Sequence, residues 1–206
     1  LAILAIVALP FVGNGSIGPD VLWQFGKSDI DSLIFWQIRL PRVLLAFLAG
    51  TGLALGGLVF QSIFRNPLAT PFTLGVAGGA SLGVTLWIFF GLQFTILGIS
   101  GTSLSALTGA ILSIALVYGI ARATGNLAPN TMLLGGVAIS FFFSSIILLL
   151  QYLGEISDTF RIIHWLMGDL SRANYDMVLQ VFPFIATGTL ITCVHSRDLN
   201  LLTLDD

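Results

Sequence analysis

Long, almost uninterrupted apolar segments dominate this chain. Between Arg65 and Arg122 there are 56 residues without one Asp, Glu, Lys or Arg. A helix needs about 20 apolar residues to cross the hydrocarbon core of a membrane, and Pro, Gly and charged residues divide the chain into segments of that length. The predicted spans are 42–63, 72–92, 101–121, 131–153 and 176–195, with residues 1–12 as the end of another span. The pattern therefore predicts an all-α, polytopic transmembrane helical bundle of about six helices.

Polar connections of two lengths separate these spans. The long connections are 14–37 and 154–175, and the short ones are 65–71 and 123–130. Each long connection contains an apolar patch, at 34–38 and at 162–167, that we expect to lie flat at the membrane surface. Lys and Arg favour the long loops by five to three. The charge rule alone would therefore place the long loops in the cytoplasm.

Composition agrees with a membrane protein and excludes other classes. Hydrophobic residues make up 56% of the chain and charged residues 9%, against about 25% charged residues in soluble proteins. The net charge of -2 and the lack of a basic run give no indication of nucleic-acid binding. No Asp, Glu, Lys or Arg lies in the interior of a predicted span, whereas proteins that move ions unaided usually hold one at membrane depth. Transport would therefore need energy from a partner.

Two short matches to enzyme motifs lack their context. Gly26-Lys27-Ser28 resembles the end of a phosphate-binding loop, but the first glycine of that motif would fall at Val21. The G-x-S-x-G match at 79–83 lies in a run of small residues spaced for helix packing. His, Cys and carboxylate residues show no spacing typical of a metal site. We therefore expect no catalytic residue and no metal site, and an intramembrane serine hydrolase is the least favoured alternative.

Two polar sequences beside the spans are candidates for function. Arg39 and Arg42 flank Pro41, which suits the first turn of a helix, so both guanidinium groups would share one face. Such a pair suits lipid headgroups or carboxylates on another protein. The sequence 65–71 holds two prolines and forms either a plain turn or a rigid elbow where a pathway narrows.

The order of these sequences resembles the permease family of ABC importers for iron-siderophore complexes, haem and cobalamin. Its landmarks run along nearly the whole chain: Arg39–Arg42, Arg65–Ala69, Leu74–Val76, Trp165–Gly168 and Leu199–Leu202. The resemblance implies about ten helices per subunit, so residues 1–206 would form one transmembrane domain that is incomplete at both ends. It also implies a bacterial cytoplasmic (inner) membrane protein that binds no cofactor itself.

The same resemblance implies several partners. They are a second permease subunit in a homodimer or heterodimer, two cytoplasmic ATPase subunits that use ATP and Mg, and a periplasmic or lipoprotein substrate-binding protein. Family topology places the long loops outside, against the charge count. A secondary transporter without an ATPase partner is the alternative.

Site residues follow from the resemblance residue by residue. Docking of the binding protein is assigned to Arg39 and Arg42. The cytoplasmic gate is assigned to Asn66, Pro67, Leu68, Pro129 and Asn130. Candidate wall residues of the pathway are Ser140, Ser144 and Ser145. The approach to the ATPase-coupling element is Leu199, Asn200, Leu201 and Leu202, and we expect the body of that element to lie beyond Asp206.

Overall fold

Helices make up most of the described chain. A computed structural model describes residues 6–13, 18–23, 29–96, 98–125 and 128–204. The helices are α1 (Ile30–Phe64), α2 (Val76–Phe89), α3 (Gly101–Ala123), α4 (Pro129–Leu153), α5 (Ile156–Met167), α6 (Tyr175–Val194) and α7 (Ser196–Leu204). Short 3-10 turns cover Leu9–Phe11 and Pro19–Trp23, and β1 (Thr95–Ile96) pairs antiparallel with β2 (Ile99–Ser100). The all-α prediction is confirmed, with one small hairpin that it did not include.

Among the described residues, four helices are long and apolar enough to cross a membrane: α1, α3, α4 and α6. The predicted spans 101–121, 131–153 and 176–195 agree with α3, α4 and α6 to within a few residues. The span predicted at 42–63 begins earlier, because α1 runs without interruption from Ile30. The patch at 34–38, predicted to lie flat at the surface, is therefore part of this long helix.

Helix α2 is shorter than the span predicted at 72–92. It has 14 residues, which makes it about 21 Å long, whereas the hydrocarbon core is about 30 Å thick. Residues 71–75 form turns instead, and Gly75 ends them with φ +78°, the left-handed region that favours glycine. The apolar pattern of the sequence did not reveal where α2 begins, because Phe72 and Leu74 in the preceding turn are also apolar.

The chain divides into two compact units. Unit 1 comprises Leu1–Leu55 and Asp169–Val194, and unit 2 comprises Gly56–Gly168 and His195–Asp206. In unit 2, helices α2, α3 and α4 pack around an apolar cluster of Phe64, Ala69, Leu74, Val117, Ile139 and Phe143. Gly79 lies against the backbone of Gly109, and Gly83 lies against the backbone of Ser105. Small residues four apart thus let α2 and α3 approach closely.

A second cluster of unit 2 holds α5. Ile162 of α5 is buried against Val84, Trp87 and Ile88 of α2, while several other apolar residues of α5 stay exposed. The apolar patch at 162–167 is helical as predicted, within a helix that begins at Ile156. Gly168, with φ +74°, ends it.

Unit 1 has a small apolar cluster of its own. Val21 and Phe35 are buried together, with Phe11, Ile34 and Trp36 packed against them. The rings of Phe11 and Phe35 lie 4.9 Å apart. Helix α6 contains no buried residue, and across the described ranges of the chain unit 1 buries fewer apolar side chains than unit 2.

Candidate functional site

The first part of α1 contains a π-helical turn, and Pro41 explains its position. Residues Ile34–Arg39 form this turn, and the Leu40 N–H donates to the Phe35 carbonyl five residues back. The next bond of the series would join residue 41 to the Trp36 carbonyl, but proline has no N–H. Pro41 was predicted in the first turn of a helix. That prediction is wrong, because Pro41 lies inside α1 and the widened turn accommodates it.

Tyr175 supplies a hydrogen bond to this turn. The Tyr175 hydroxyl donates to the Trp36 carbonyl over 2.6 Å, and the Trp36 indole Nε1 donates to the Val21 carbonyl over 3.3 Å. Tyr175 is the first residue of α6. The turn in α1 is therefore tied both to α6 and to the segment that precedes α1.

Arg39 and Arg42 bond to two different segments of unit 1. Arg39 is half-buried, and its Nη1 donates to the Pro10 carbonyl over 3.2 Å. Gly13 lies against the same guanidinium, where an added Cβ would come within 2.9 Å of the Arg39 Cζ. Arg42 is exposed and donates to the carbonyls of Leu170 and Ser171 over 3.2 and 3.4 Å. The sequence indicates both arginines as candidates but not these backbone partners.

The loop that accepts from Arg42 is shaped by Asp169. The Asp169 carboxylate accepts from the Ser171 N–H at 2.7 Å and from the Ser171 hydroxyl at 2.5 Å. Arg172 lies within 3.9 Å of the same carboxylate. These bonds form an Asx turn. The turn orients the Leu170 and Ser171 carbonyls toward the Arg42 guanidinium, from which both accept.

The sequence 65–71 forms an elbow after α1. Arg65 has φ +47°, a conformation that non-glycine residues rarely adopt. The Asn66 side chain accepts from the Leu68 N–H over 2.9 Å, and the Gln61 side chain donates to the Pro67 carbonyl over 3.1 Å. Leu68 is 79% exposed, whereas Ala69 is fully buried. The elbow thus presents Pro67 and Leu68 outward, and Asn66 shapes the turn.

Pro129 and Asn130 begin α4, with Pro129 at its first position. Both residues are exposed. Met132 and Leu133, one turn further on, pack against the same apolar cluster that buries Ala69 of the elbow. Residues next to both predicted gate sequences therefore share one apolar cluster.

The three serines of α4 have different surroundings. Ser140 is half-buried, donates to the Gly136 carbonyl of its own helix over 2.8 Å, and lies beside Gly75. Ser144 and Ser145 are exposed, and the Ser145 hydroxyl donates to the Phe141 carbonyl. Ser140 thus contributes to packing within unit 2, while Ser144 and Ser145 point away from the rest of unit 2.

Sequence analysis did not predict α7, which contains the Leu199–Leu202 sequence. It follows α6 after a turn at His195, and the Leu199 N–H donates to the His195 carbonyl. Leu201 is 65% exposed and Leu202 39% exposed. These leucines give α7 an apolar surface that unit 2 leaves uncovered.

Ser113 is a buried polar residue that sequence analysis missed. It is fully buried, and its hydroxyl donates to the Gly75 carbonyl over 2.8 Å. The bond ties α3 to the turn that precedes α2. A serine among apolar helix residues is the only sequence signal of this contact, and many serines in the chain share it.

The apparent enzyme motifs and metal ligands are placed as follows. Gly26-Lys27-Ser28 lies outside the described residues. Gly79 and Gly83 of the G-x-S-x-G match contact the backbone of α3, which accounts for these glycines by helix packing. Within the part of the chain that the structure describes, no three His, Cys, Asp or Glu side chains are grouped to hold a metal ion.

Comparisons with known proteins agree along the whole chain. The sequence profile of the FecCD transport family matches residues 1–206. The molybdate import system permease protein MolB of Haemophilus influenzae is 34% identical, over 100% of this chain and 62% of its own length. The iron(3+)-hydroxamate import system permease protein FhuB of Salmonella typhimurium is also 34% identical, over 91% of this chain and 26% of its own length.

A solved structure has the same fold. It is described as an inward-facing conformation of a metal-chelate type ABC transporter, and it superimposes with a TM-score of 0.80 and 34% identity. The match covers 98% of this chain and 61% of the solved one, so the chain spans less than two thirds of each of these three proteins. Since profile, sequence and fold agree from one end of the chain to the other, this multi-pass membrane protein belongs to the FecCD transport family.

Proposed function

We propose that this chain belongs to the permease subunit of an ATP-driven ABC importer that carries an iron-siderophore or related metal chelate across the bacterial cytoplasmic membrane. The observation that carries this proposal is the fold match, with a TM-score of 0.80, to a metal-chelate type ABC transporter. Relatives of equal identity are named for molybdate and for iron hydroxamate. Identity at this level therefore leaves the particular substrate to experiment.

Energy for transport comes from partners in this proposal. Residues 43–64 of α1, all of α4 and the interiors of α3 and α6 lack Asp, Glu, Lys and Arg, so they offer no charged group for coupling to an ion gradient. Two separate cytoplasmic ATPase subunits use ATP and Mg, and their closure switches the permease between outward-open and inward-open states. The chain itself carries out no bond chemistry.

The arginine pair docks the substrate-binding protein in this proposal. Carboxylates bind guanidinium groups more strongly than neutral carbonyls do, because both partners are charged. A carboxylate of the binding protein can therefore replace the Leu170 and Ser171 carbonyls as the partner of Arg42. The ordered loop keeps the guanidinium in place until docking.

The elbow and the start of α4 form the cytoplasmic gate in this proposal. Pro67 and Leu68 are exposed at the elbow, and Pro129 and Asn130 are exposed at the first turn of α4. The two prolines and Leu68 can close a pathway against the same residues of a second permease subunit. Ser144 and Ser145 line the pathway above this gate, and the exposed leucines of α7 lead toward the ATPase contact.

Reconstituted transport tests the proposed function. The product of the complete gene is placed in proteoliposomes with its ATPase and binding protein, and uptake of ferric hydroxamate, haem, cobalamin and molybdate is measured. We expect one metal chelate to accumulate when ATP is present, and a hydrolysis-deficient ATPase to abolish the uptake. Uptake driven by a proton or sodium gradient without the ATPase would contradict the proposal and favour a secondary transporter.

A further inference from the structure

The first part of α1, Ile30–Arg39, here called the arm, depends on a side chain from α6 for one of its backbone bonds. In the π-helical turn, Leu40 donates to Phe35, and Pro41 cannot donate to the next carbonyl, that of Trp36. The Tyr175 hydroxyl donates to that carbonyl over 2.6 Å. In lipid or at its surface, a backbone carbonyl without a donor costs free energy, so proline and tyrosine are chemically matched.

Arg42 joins α1 to the loop that precedes α6. It follows Pro41 in α1 and donates to the carbonyls of Leu170 and Ser171, which lie a few residues before Tyr175. Arg39, at the end of the π-helical turn, donates to the Pro10 carbonyl. Arg39 lies three residues and Arg42 six residues after Trp36, whose carbonyl accepts from Tyr175, so the directions of both side chains depend on the register of that turn.

We propose that Tyr175 is a positioning residue for the arginine pair: its hydroxyl replaces the donor that Pro41 lacks and thereby holds the arm in the register that aims Arg39 and Arg42. The docking role of the arginines rests on the proposed function, whereas the link between Tyr175 and the turn does not. Without the hydroxyl, the arm can return toward a plain α-helical register, in which Leu40 donates to Trp36 and the residues before Pro41 turn to new directions.

A double-mutant cycle in the full-length permease tests the link. Tyr175→Phe removes only the hydroxyl, and Pro41→Ala restores a backbone N–H at residue 41. With Ala at this position, either helical register gives the Trp36 carbonyl a backbone donor. We expect Tyr175→Phe to speed hydrogen exchange of the amides in Ile34–Leu40 about tenfold, as loss of one hydrogen bond predicts. In the Pro41→Ala background, the same change should alter exchange less than about twofold.

Docking supplies the functional readout. We expect Tyr175→Phe to weaken binding of the substrate-binding protein about threefold to tenfold, and to have almost no effect once Pro41→Ala is present. Tyr152→Phe is the matched control, because Tyr152 lies on α4 and is 85% exposed. It should leave both exchange and docking unchanged.

The outcomes separate the two claims. Equal effects of Tyr175→Phe in both backgrounds, in exchange or in docking, would overturn the positioning role of Tyr175. If the wild-type permease binds no such protein at all, the proposed function fails, while the exchange cycle still decides the link between Tyr175 and the turn. A Tyr175→Phe variant with wild-type exchange and docking would also overturn the inference.

Discussion

The contacts inside unit 1 differ in kind from the contacts inside unit 2. In unit 2, α2, α3 and α4 meet backbone to backbone at glycines, around a continuous apolar cluster. In unit 1, α6 buries no residue, and side chains of α1 and α6 bond to backbone carbonyls instead. Unit 2 thus depends on close packing, which adding one methyl group disturbs. Unit 1 depends on a few polar bonds, which a partner can exchange for its own.

That difference fits the proposed roles of the two units. A packed helix group resists deformation, as the walls and gate of a pathway require. Polar bonds between exposed groups each contribute about 0.5–1.5 kcal/mol, so a docking partner can replace them at small cost. The first of three experiments acts on the polar bonds of unit 1 and the other two act on the packing of unit 2.

The largest effect is expected from charge reversal in unit 1. Replacing Arg39→Glu and Arg42→Glu together should weaken docking of the substrate-binding protein by about 2–5 kcal/mol, because attraction to carboxylates becomes repulsion. Binding to the full-length permease in nanodiscs measures this. Arg161→Glu is the control, since Arg161 already pairs with Asp158 of its own helix at 3.2 Å. Unchanged affinity in the double variant would assign the arginines to lipid headgroups instead.

Alanine substitutions at two adjacent glycines of unit 2 should have different effects on the stability of the protein. A Cβ at Gly136 would lie 2.5 Å from the Thr73 carbonyl oxygen and 2.6 Å from the Leu74 Cα, whereas a Cβ at Gly135 meets nothing within 4 Å. Gly136→Ala should therefore destabilise the protein by about 1–3 kcal/mol. Gly135→Ala should be neutral or stabilising by up to about 1 kcal/mol, because alanine favours the helix.

Thermal unfolding of the full-length protein in detergent measures both glycine variants. The same contrast is available on α2, where a Cβ at Gly79 would clash with Gly109 while one at Gly78 would find ordinary contact at 3.5 Å. Equal unfolding temperatures for Gly136→Ala and Gly135→Ala would show that close backbone approach does not hold unit 2 together.

A smaller effect is expected at Ser113. Ser113→Ala removes the buried bond to the Gly75 carbonyl, and we expect a loss of about 1 kcal/mol, because that carbonyl keeps its bond from the Gly79 N–H. Ser145→Ala should change the unfolding temperature hardly at all, since Ser145 is exposed and bonds within its own helix. A larger loss for Ser145→Ala than for Ser113→Ala would contradict this view of the packing.

The position and length of a helix were predictable where polar residues flank an apolar segment at both ends. Helices α3, α4 and α6 agree with their predicted spans for this reason. The start of α1 was not predictable, because Pro41 is typical of a first turn and nothing in the sequence indicates a π-helical turn before it. The start of α2 was placed too early because its preceding turn is built from apolar residues.

The candidate site residues could be picked out by residue type, but their hydrogen-bond partners could not. Guanidinium groups stand out in an apolar chain, so Arg39 and Arg42 were found. Their acceptors are backbone carbonyls, at Pro10, Leu170 and Ser171, and every residue carries such a group. Tyr175 was missed because a tyrosine at the end of a span is typical of the membrane interface. Only the structure shows that its hydroxyl donates to the Trp36 carbonyl, five residues before Pro41.

Every role proposed for these residues depends on which side of the membrane each loop faces, and labelling of single cysteines measures that directly. In a full-length permease with Cys193→Ala and any other cysteine replaced, Asp158→Cys and Leu68→Cys are treated with an impermeant thiol reagent on intact cells. Leu68 is 79% exposed at the elbow, and Asp158 lies on α5. We expect labelling of Asp158→Cys on intact cells and of Leu68→Cys only after the membrane is opened. Labelling of Leu68→Cys but not Asp158→Cys on intact cells would reverse the topology and contradict the assignment of docking side and gate.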